Sequence, residues 1–415
     1  MKRIGFLLGA WMGWVAAAGA GEAKSPWDMA LLAKAPKTYP APEFAGSGVR
    51  ALFYEALPLK GKPTRAFAWL GLPAVSANQK VPGIVLVHGG GGSAEKDWVT
   101  LWTQRGYAAI AMDCCGCVPR QANGGWARQE GGGPQGWGTE SFKQLDLPDN
   151  ENWVYHAVAD VILAHSLLRS LPEVDGERTG ITGISWGGIL TCIAAGVDHR
   201  FKFAAPVYGC GFLHEDSGWS ERLQKMDKAK SERWIRLFDP SQYLGSASLP
   251  MLWVTGSNDP FFPFDSLQKS YRLPQSPRTL CIRVRMGHGG EGLTPEEIAA
   301  FADSVVRGGK PLATVTAQGA DRGAAWVNYS SVVPVERAEL TFTLDKGPWV
   351  KRKWETAAAQ IDTQKHKATA TLPDGTTVYY FNLVDQRNLL VSSEHVELPA
   401  TNGLRGQASS SPTRE

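Results

Sequence analysis

The chain has 415 residues, 43% of them hydrophobic and 20% charged, with a formal net charge of +3. These ordinary globular values speak against a disordered chain and a polytopic membrane protein. Lysine and arginine are scattered, which speaks against nucleic acid as a partner. The length suits an α/β catalytic domain of about 270 residues plus a smaller companion.

Met1-Lys2-Arg3 is followed by an uncharged run to Gly21 that contains Ala18-Gly19-Ala20. Residues 1–20 therefore read as a secretory signal, with an uncleaved single-span anchor as the competing reading. Its removal takes away Lys2 and Arg3 and no acid, lowering the charge from +3 to +1. No later run is apolar and long enough to span a bilayer, so an exported protein, periplasmic or extracellular, is expected.

Residues 21–45, rich in Ala, Pro and Lys, read as an extended lead-in to a catalytic domain over 46–310. Two alternating stretches, residues 49–54 and 65–71, suggest an antiparallel pair at a sheet edge. Gly83-Ile84-Val85-Leu86-Val87 is a continuous β-branched run of the kind buried on both faces, and it ends at His88-Gly89-Gly90-Gly91-Gly92. A helix over 95–105 and a strand over 108–113 follow. Residues 116–150 are rich in Gly and Trp, too long for an idle loop, and read as a cap over an active site. Helical spacing returns over 152–171, and strands are expected at 179–182, 203–209, 249–256 and 280–285, with a helix at 189–195, a mostly helical excursion at 214–245 and a closing helix at 295–306. Strands alternating with helices imply a doubly wound, mainly parallel sheet.

After Gly308-Gly309 the pattern becomes short alternating strands with a Pro373-Asp374-Gly375 turn, which predicts a small β-sandwich of immunoglobulin or fibronectin-III type over 312–400. The short connection favours a sandwich that braces the catalytic domain. Lys351-Arg352-Lys353 is expected on a solvated strand edge, and residues 401–415 as a disordered tail. Six cysteines permit one or two disulfides in an exported protein without defining a pairing. Cys114-Cys115-Gly116-Cys117 lacks zinc-site spacing, so no metal or cofactor is expected.

Gly183-Ile184-Ser185-Trp186-Gly187 is a G-x-S-x-G run between a strand and a helix. A serine on so sharp a turn requires neighbours without β-carbons, and the turn lifts its hydroxyl above the sheet edge. By itself the run could be a chance glycine-rich turn. Asp259 in Gly256-Ser257-Asn258-Asp259-Pro260 and His288 in Gly287-His288-Gly289 also follow strands, however, and the order Ser185, Asp259, His288 is that of the α/β-hydrolases. Ser185 is the candidate nucleophile, His288 the base and Asp259 the residue that orients it. Trp186 N–H and Gly90 N–H are the candidate oxyanion donors, and His88 is read as fixing its loop by a hydrogen bond. Trp126 and Trp137 could stack on sugar rings or simply pack the lid.

His88-Gly-Gly-Gly-Gly, Gly183-Ile-Ser-Trp-Gly-Gly188, Asn258-Asp259-Pro260 and Gly287-His288-Gly289 resemble the α/β-hydrolases grouped with acetyl xylan esterases and dienelactone hydrolases, over about residues 45–310. The resemblance implies hydrolysis of carboxylic esters through an acyl-enzyme. The chain departs from dienelactone hydrolases, which use cysteine where Ser185 stands, and from the cephalosporin-deacetylase type of acetyl xylan esterase, which has glutamine where Trp186 stands. The expected partner is a small ester or an acylated carbohydrate, and oligomeric state is left open. Two other readings remain: a prolyl-oligopeptidase-type peptidase, although no propeller-blade repeat is present, and a non-catalytic carbohydrate-binding protein on a hydrolase scaffold.

Overall fold

The structure, a computed structural model, describes residues 25–44, 48–74, 76, 79–120, 125–136 and 139–399. The expected signal, Trp137 and the tail from Thr401 lie outside the described residues.

The lead-in is not uniformly extended. Asp28 caps a one-turn helix, α1 (Met29–Leu32), by accepting from Ala30 N at 2.9 Å. Strand β1 (Thr38–Pro40) then pairs with β2 (Arg50–Leu59), and Trp27 and Leu32 are buried in the core. The edge pair is longer than expected: β2 and β3 (Lys62–Gly71) form one hairpin that closes at Lys60-Gly61, both at positive φ (53° and 73°). That conformation matches the right-handed twist of the two strands.

The alternating part follows as β4 (Val81–Val87), α2 (Lys96–Gln104), β5 (Ala108–Met112), a small hairpin of β6 (Cys117–Pro119) and β7 (Trp126–Arg128), α3 (Trp153–Ser170), β8 (Val174–Ile184), α4 (Trp186–Val197), β9 (Phe203–Val207), α5 (Ser220–Lys225), α6 (Lys228–Phe238), β10 (Met251–Gly256), α7 (Phe264–Tyr271), β11 (Arg278–Arg283) and α8 (Glu296–Val306). Sheet order is β1-β2-β3-β5-β4-β8-β9-β10-β11, antiparallel as far as β5 and parallel beyond it. The chain steps one way from β4 to β5 and the other way from β5 to β8. Right-handed crossovers therefore put α2 on one face and α3 with α4 on the other. Arg105 at the end of α2 reaches Glu296 at 2.5 Å, joining α2 to α8. With both faces covered, every residue of β4, β5, β9 and β10 is buried.

Helix α7 has no counterpart among the expected elements. Its apolar residues Phe264, Leu267 and Tyr271 recur at helical spacing, but the run is short and follows two prolines, Pro260 and Pro263. The disulfides that the sequence allows do not form: all six cysteines are buried thiols, and that of Cys115 donates to Gly136 O at 3.0 Å.

The C-terminal strands are β12 (Thr314–Asp321), β13 (Ala324–Ser330), β14 (Val335–Thr343), β15 (Glu355–Ala358), β16 (Gln360–Asp362), β17 (Lys367–Thr371), β18 (Val378–Asp385), β19 (Leu390–Ser392) and β20 (Val396–Glu397). One layer of the sandwich is β12-β13-β17-β16, and the other is β19-β18-β14-β15 with β20 on β18. The second layer continues the hydrolase sheet. β19 pairs antiparallel with β11, Ile282 N donates to Ser392 Oγ at 2.8 Å, and Asn382 Nδ2 donates to Ile282 O at 3.2 Å. A single 14-stranded sheet thus runs through both parts. The basic run is not on a strand edge: residues Trp349–Lys351 form a 3-10 turn, and the Arg352 guanidinium lies 3.5 Å from the centroid of the Trp349 ring.

At this junction Phe264 is enclosed by Trp349, Trp354, Tyr380 and His395, with ring centroids 5.0 to 5.9 Å away. The shared sheet and this aromatic box predict one cooperative thermal transition by calorimetry; two resolved transitions would contradict the coupling. His395, 5% exposed, gives the junction a pH dependence. Burial pushes its imidazole down to about 4, with Asp265 and Glu394 raising it and Arg272 and Arg352 lowering it. An unfolded chain takes up this proton near pH 6.5, so the contribution is complete above that pH and is lost as the pH falls toward 4. The loss amounts to about 3 kcal/mol at most. The melting temperature of wild type should fall more between pH 7 and pH 4 than that of His395→Gln, and parallel curves would rule this out.

Candidate active site

Ser185 sits between β8 and α4 at φ 59° and ψ −121°, a conformation that L-residues avoid. The turn holds because nothing at its neighbours obstructs it. A β-carbon on Gly187 would overlap the Val87 carbonyl oxygen, one on Gly183 would overlap the Gly187 carbonyl oxygen, and one on Gly188 would lie 2.6 Å from the Val207 carbonyl oxygen. Ser185 N donates to Val207 O at 2.8 Å, tying the elbow to β9. From the other side Gly89 packs so closely that a β-carbon there would lie 3.1 Å from Ser185 Cβ.

Gly89 to Gly92 form a tight turn closed by Gly92 N on Gly89 O at 3.1 Å, with Gly91 at φ 75° and Gly90 at the exposed tip. His88 anchors the turn, since its Nδ1 lies 2.8 Å from Gly89 O while Nε2 accepts from Cys114 N at 3.0 Å. These partners put the proton on Nδ1. Trp186 is the first residue of α4, where backbone N–H groups have no acceptor within the helix.

The loops after β10 and β11 bring the other two residues to the serine. Asp259 Oδ2 lies 2.7 Å from His288 Nδ1, and His288 Nε2 lies 2.8 Å from Ser185 Oγ. The second carboxylate oxygen of Asp259 accepts from Phe261 N at 2.8 Å and Phe262 N at 2.9 Å, which fixes the acid's orientation. The acid side chain is 1% exposed and the imidazole 19%, so the chain of bonds runs from the interior to a hydroxyl at the surface of the site. With Nδ1 donating to the carboxylate, Nε2 is free to accept the serine proton.

Residues that sequence reasoning did not single out line this chain. The ring of Tyr208, itself at φ 51°, lies 4.7 Å from the His288 ring, with Phe261 at 4.9 Å and Phe262 at 6.0 Å. Phe261 is 38% exposed and stacks on Trp219 at 5.4 Å. Trp219 meets Trp186 at 5.2 Å, and Trp186 also meets Trp153 at 5.7 Å and Phe142 at 6.2 Å. The aromatic pair directly after Asp259-Pro260 was the available signal. Trp126 lies half-buried on β7 and takes part in none of these ring contacts; Trp137 lies outside the described residues. The residues expected in the cap contribute Phe142, and Trp153 just beyond them donates its indole N–H to Cys114 O at 2.7 Å.

The same kind of bond chain occurs a second time, sealed. His165 Nδ1 lies 2.7 Å from Asp198 Oδ2 and its Nε2 lies 2.8 Å from Thr179 Oγ1, while Phe201 stacks on the ring at 3.7 Å. Both ionisable side chains are 0% exposed, and burial pushes the imidazole down to about 4. This network holds α3 to β8 and offers no path for a substrate.

Residues 46–241 match a family model described as acetyl xylan esterase, and residues 216–335 match one described as PhoPQ-activated pathogenicity-related protein. Among solved structures, the acetyl xylan esterase from Paenibacillus sp. R4 superposes with a TM-score of 0.53 at 20% identity, covering 66% of this chain and 92% of that one. Acetyl xylan esterase 1 from Thermoanaerobacterium sp. JW/SL YS485 does so with a TM-score of 0.51 at 19% identity, covering 65% and 88%. The α/β-hydrolase fold is shared with both, and residues 46–241 resemble the acetyl xylan esterase family.

Proposed function

We propose that the protein is an exported serine esterase that removes short acyl groups, acetyl above all, from ester substrates. The observation that carries the reading is the unbroken contact from Ser185 Oγ through His288 to Asp259, at 2.8 and 2.7 Å, on an elbow open to the surface. Ser185 Oγ attacks the ester carbonyl as its proton passes to His288 Nε2. Asp259, already held by two backbone N–H groups, stabilises the imidazolium. The developing oxyanion is received by the N–H groups of Trp186 and Gly90. His288 then returns the proton to the departing alcohol, and water repeats the sequence on the acyl-serine.

The acetylated-polysaccharide reading of the substrate draws on the description of the matched family and on the exposed face of Phe261 beside His288, a surface suited to a sugar ring. Export rests on the basic, apolar and small-residue order of residues 1–20. Among the described residues no helix is long and apolar enough to cross a membrane.

Purified protein should hydrolyse p-nitrophenyl acetate, faster than esters of longer acyl chains, and release acetate from acetylated xylan. Ser185→Ala should lower kcat by about 10⁴-fold or more while the melting temperature stays put; a variant with wild-type activity would end the proposal.

A further inference from the structure

The acid and histidine loops meet the C-terminal sandwich through one short segment, Trp349 to Trp354. Asn258, the residue before Asp259, donates both amide hydrogens to it, to Val350 O at 3.2 Å and Arg352 O at 2.9 Å. Trp354 Nε1 donates to Ser257 O at 3.2 Å. Arg285, three residues before His288, donates from Nη2 to Trp354 O at 2.6 Å and from Nε at 3.2 Å. The two loops are also bonded to each other, since Arg285 N donates to Ser257 Oγ at 2.8 Å and Ser257 N donates to Arg283 O at 3.0 Å. Arg285 sits at φ 59°, a left-handed conformation that its neighbours must hold in place. Beyond the acid, the loop ends at Phe264 in its aromatic box, and Trp349 Nε1 donates to Asp265 Oδ2 at 3.1 Å.

The geometry points to the C-terminal sandwich as part of the catalytic apparatus: its Trp349–Trp354 segment sets the Asp259 and His288 loops in register, with Asn258, Arg285 and Trp354 as positioning residues. This rests on the proposed roles of Asp259 and His288. The acceptors are backbone carbonyls on the short connection between β14 and β15, whose positions vary less than those of a long side chain. Two of them sit on one amide, so rotation of the Asn258 side chain, and with it drift of the adjacent carboxylate, breaks two bonds at once. A misplacement of the acid by a fraction of an ångström weakens its bond to Nδ1 and, through it, the basicity of Nε2.

The test compares Asn258→Ala with Arg285→Met and Arg285→Lys in the full chain, reading kcat, KM and the pH profile on p-nitrophenyl acetate, with melting temperature as the control for folding. Asn258→Ala should lower kcat about 10- to 100-fold with KM changed less than about threefold. It should also move the acid limb of kcat/KM to lower pH, because an imidazole held less closely by its carboxylate takes up a proton less readily. Arg285→Met should shift both readouts in the same direction. Arg285→Lys, which can still donate to Trp354 O, should restore part of kcat. Arg285 is exposed, so its two variants decide the question if Asn258→Ala does not fold. Unchanged kcat and pH profile in a folded Asn258→Ala or Arg285→Met overturns the inference, as does a kcat loss that Lys fails to relieve. Wild-type protein without esterase activity would instead overturn the proposed function.

Discussion

The structure turns on a backbone conformation at one residue. A serine at φ 59° survives only where four surrounding positions have no side chain, and the absence of β-carbons at Gly89, Gly183, Gly187 and Gly188 brings β4, β8 and β9 into contact at one point. Those contacts are between backbones, so no side chain can relax to relieve a misfit. The hydroxyl is therefore located by the sheet itself, and its partners need only reach a stationary point.

The partners reach it from the far edge of the parallel sheet, where support is weaker. The β10 and β11 loops would be an exposed end of the sheet in a hydrolase that stopped at α8. Here β19 continues the hydrogen-bond ladder from β11, and the sandwich covers what would otherwise be an open edge. The α/β part and the C-terminal strands therefore share a sheet, an aromatic cluster and hydrogen bonds to two loops. The relation is closer than bracing across a linker.

The α/β alternation was legible in the sequence because it is written locally, in runs such as Ile84 to Val87 and in glycines at strand ends. The strand-end positions of Ser185, Asp259 and His288 were legible for the same reason. Helix α7 was not, since a short element between prolines carries too few turns for its period to stand out. The continuity of the sheet was not legible either: pairing Leu280 with Ser392 is a contact across more than a hundred residues, and nothing local announces it. The aromatic wall was half legible. Phe261 and Phe262 stand directly after Asp259-Pro260, but that Tyr208 joins them on the imidazole, and that Trp219 and Trp186 extend the wall, depends on separate loops arriving together.

The sealed network at His165 bears on what makes the open one special. Among the described residues, two imidazoles have a carboxylate on Nδ1 and a hydroxyl on Nε2 at matching separations, and one of the two faces solvent. Distances among three side chains are thus insufficient to define a reactive centre. The protein carries an internal comparison in which the contacts to the imidazole are matched, while the carboxylate is held by Arg200 instead of by backbone N–H groups and access and the strained turn are withdrawn.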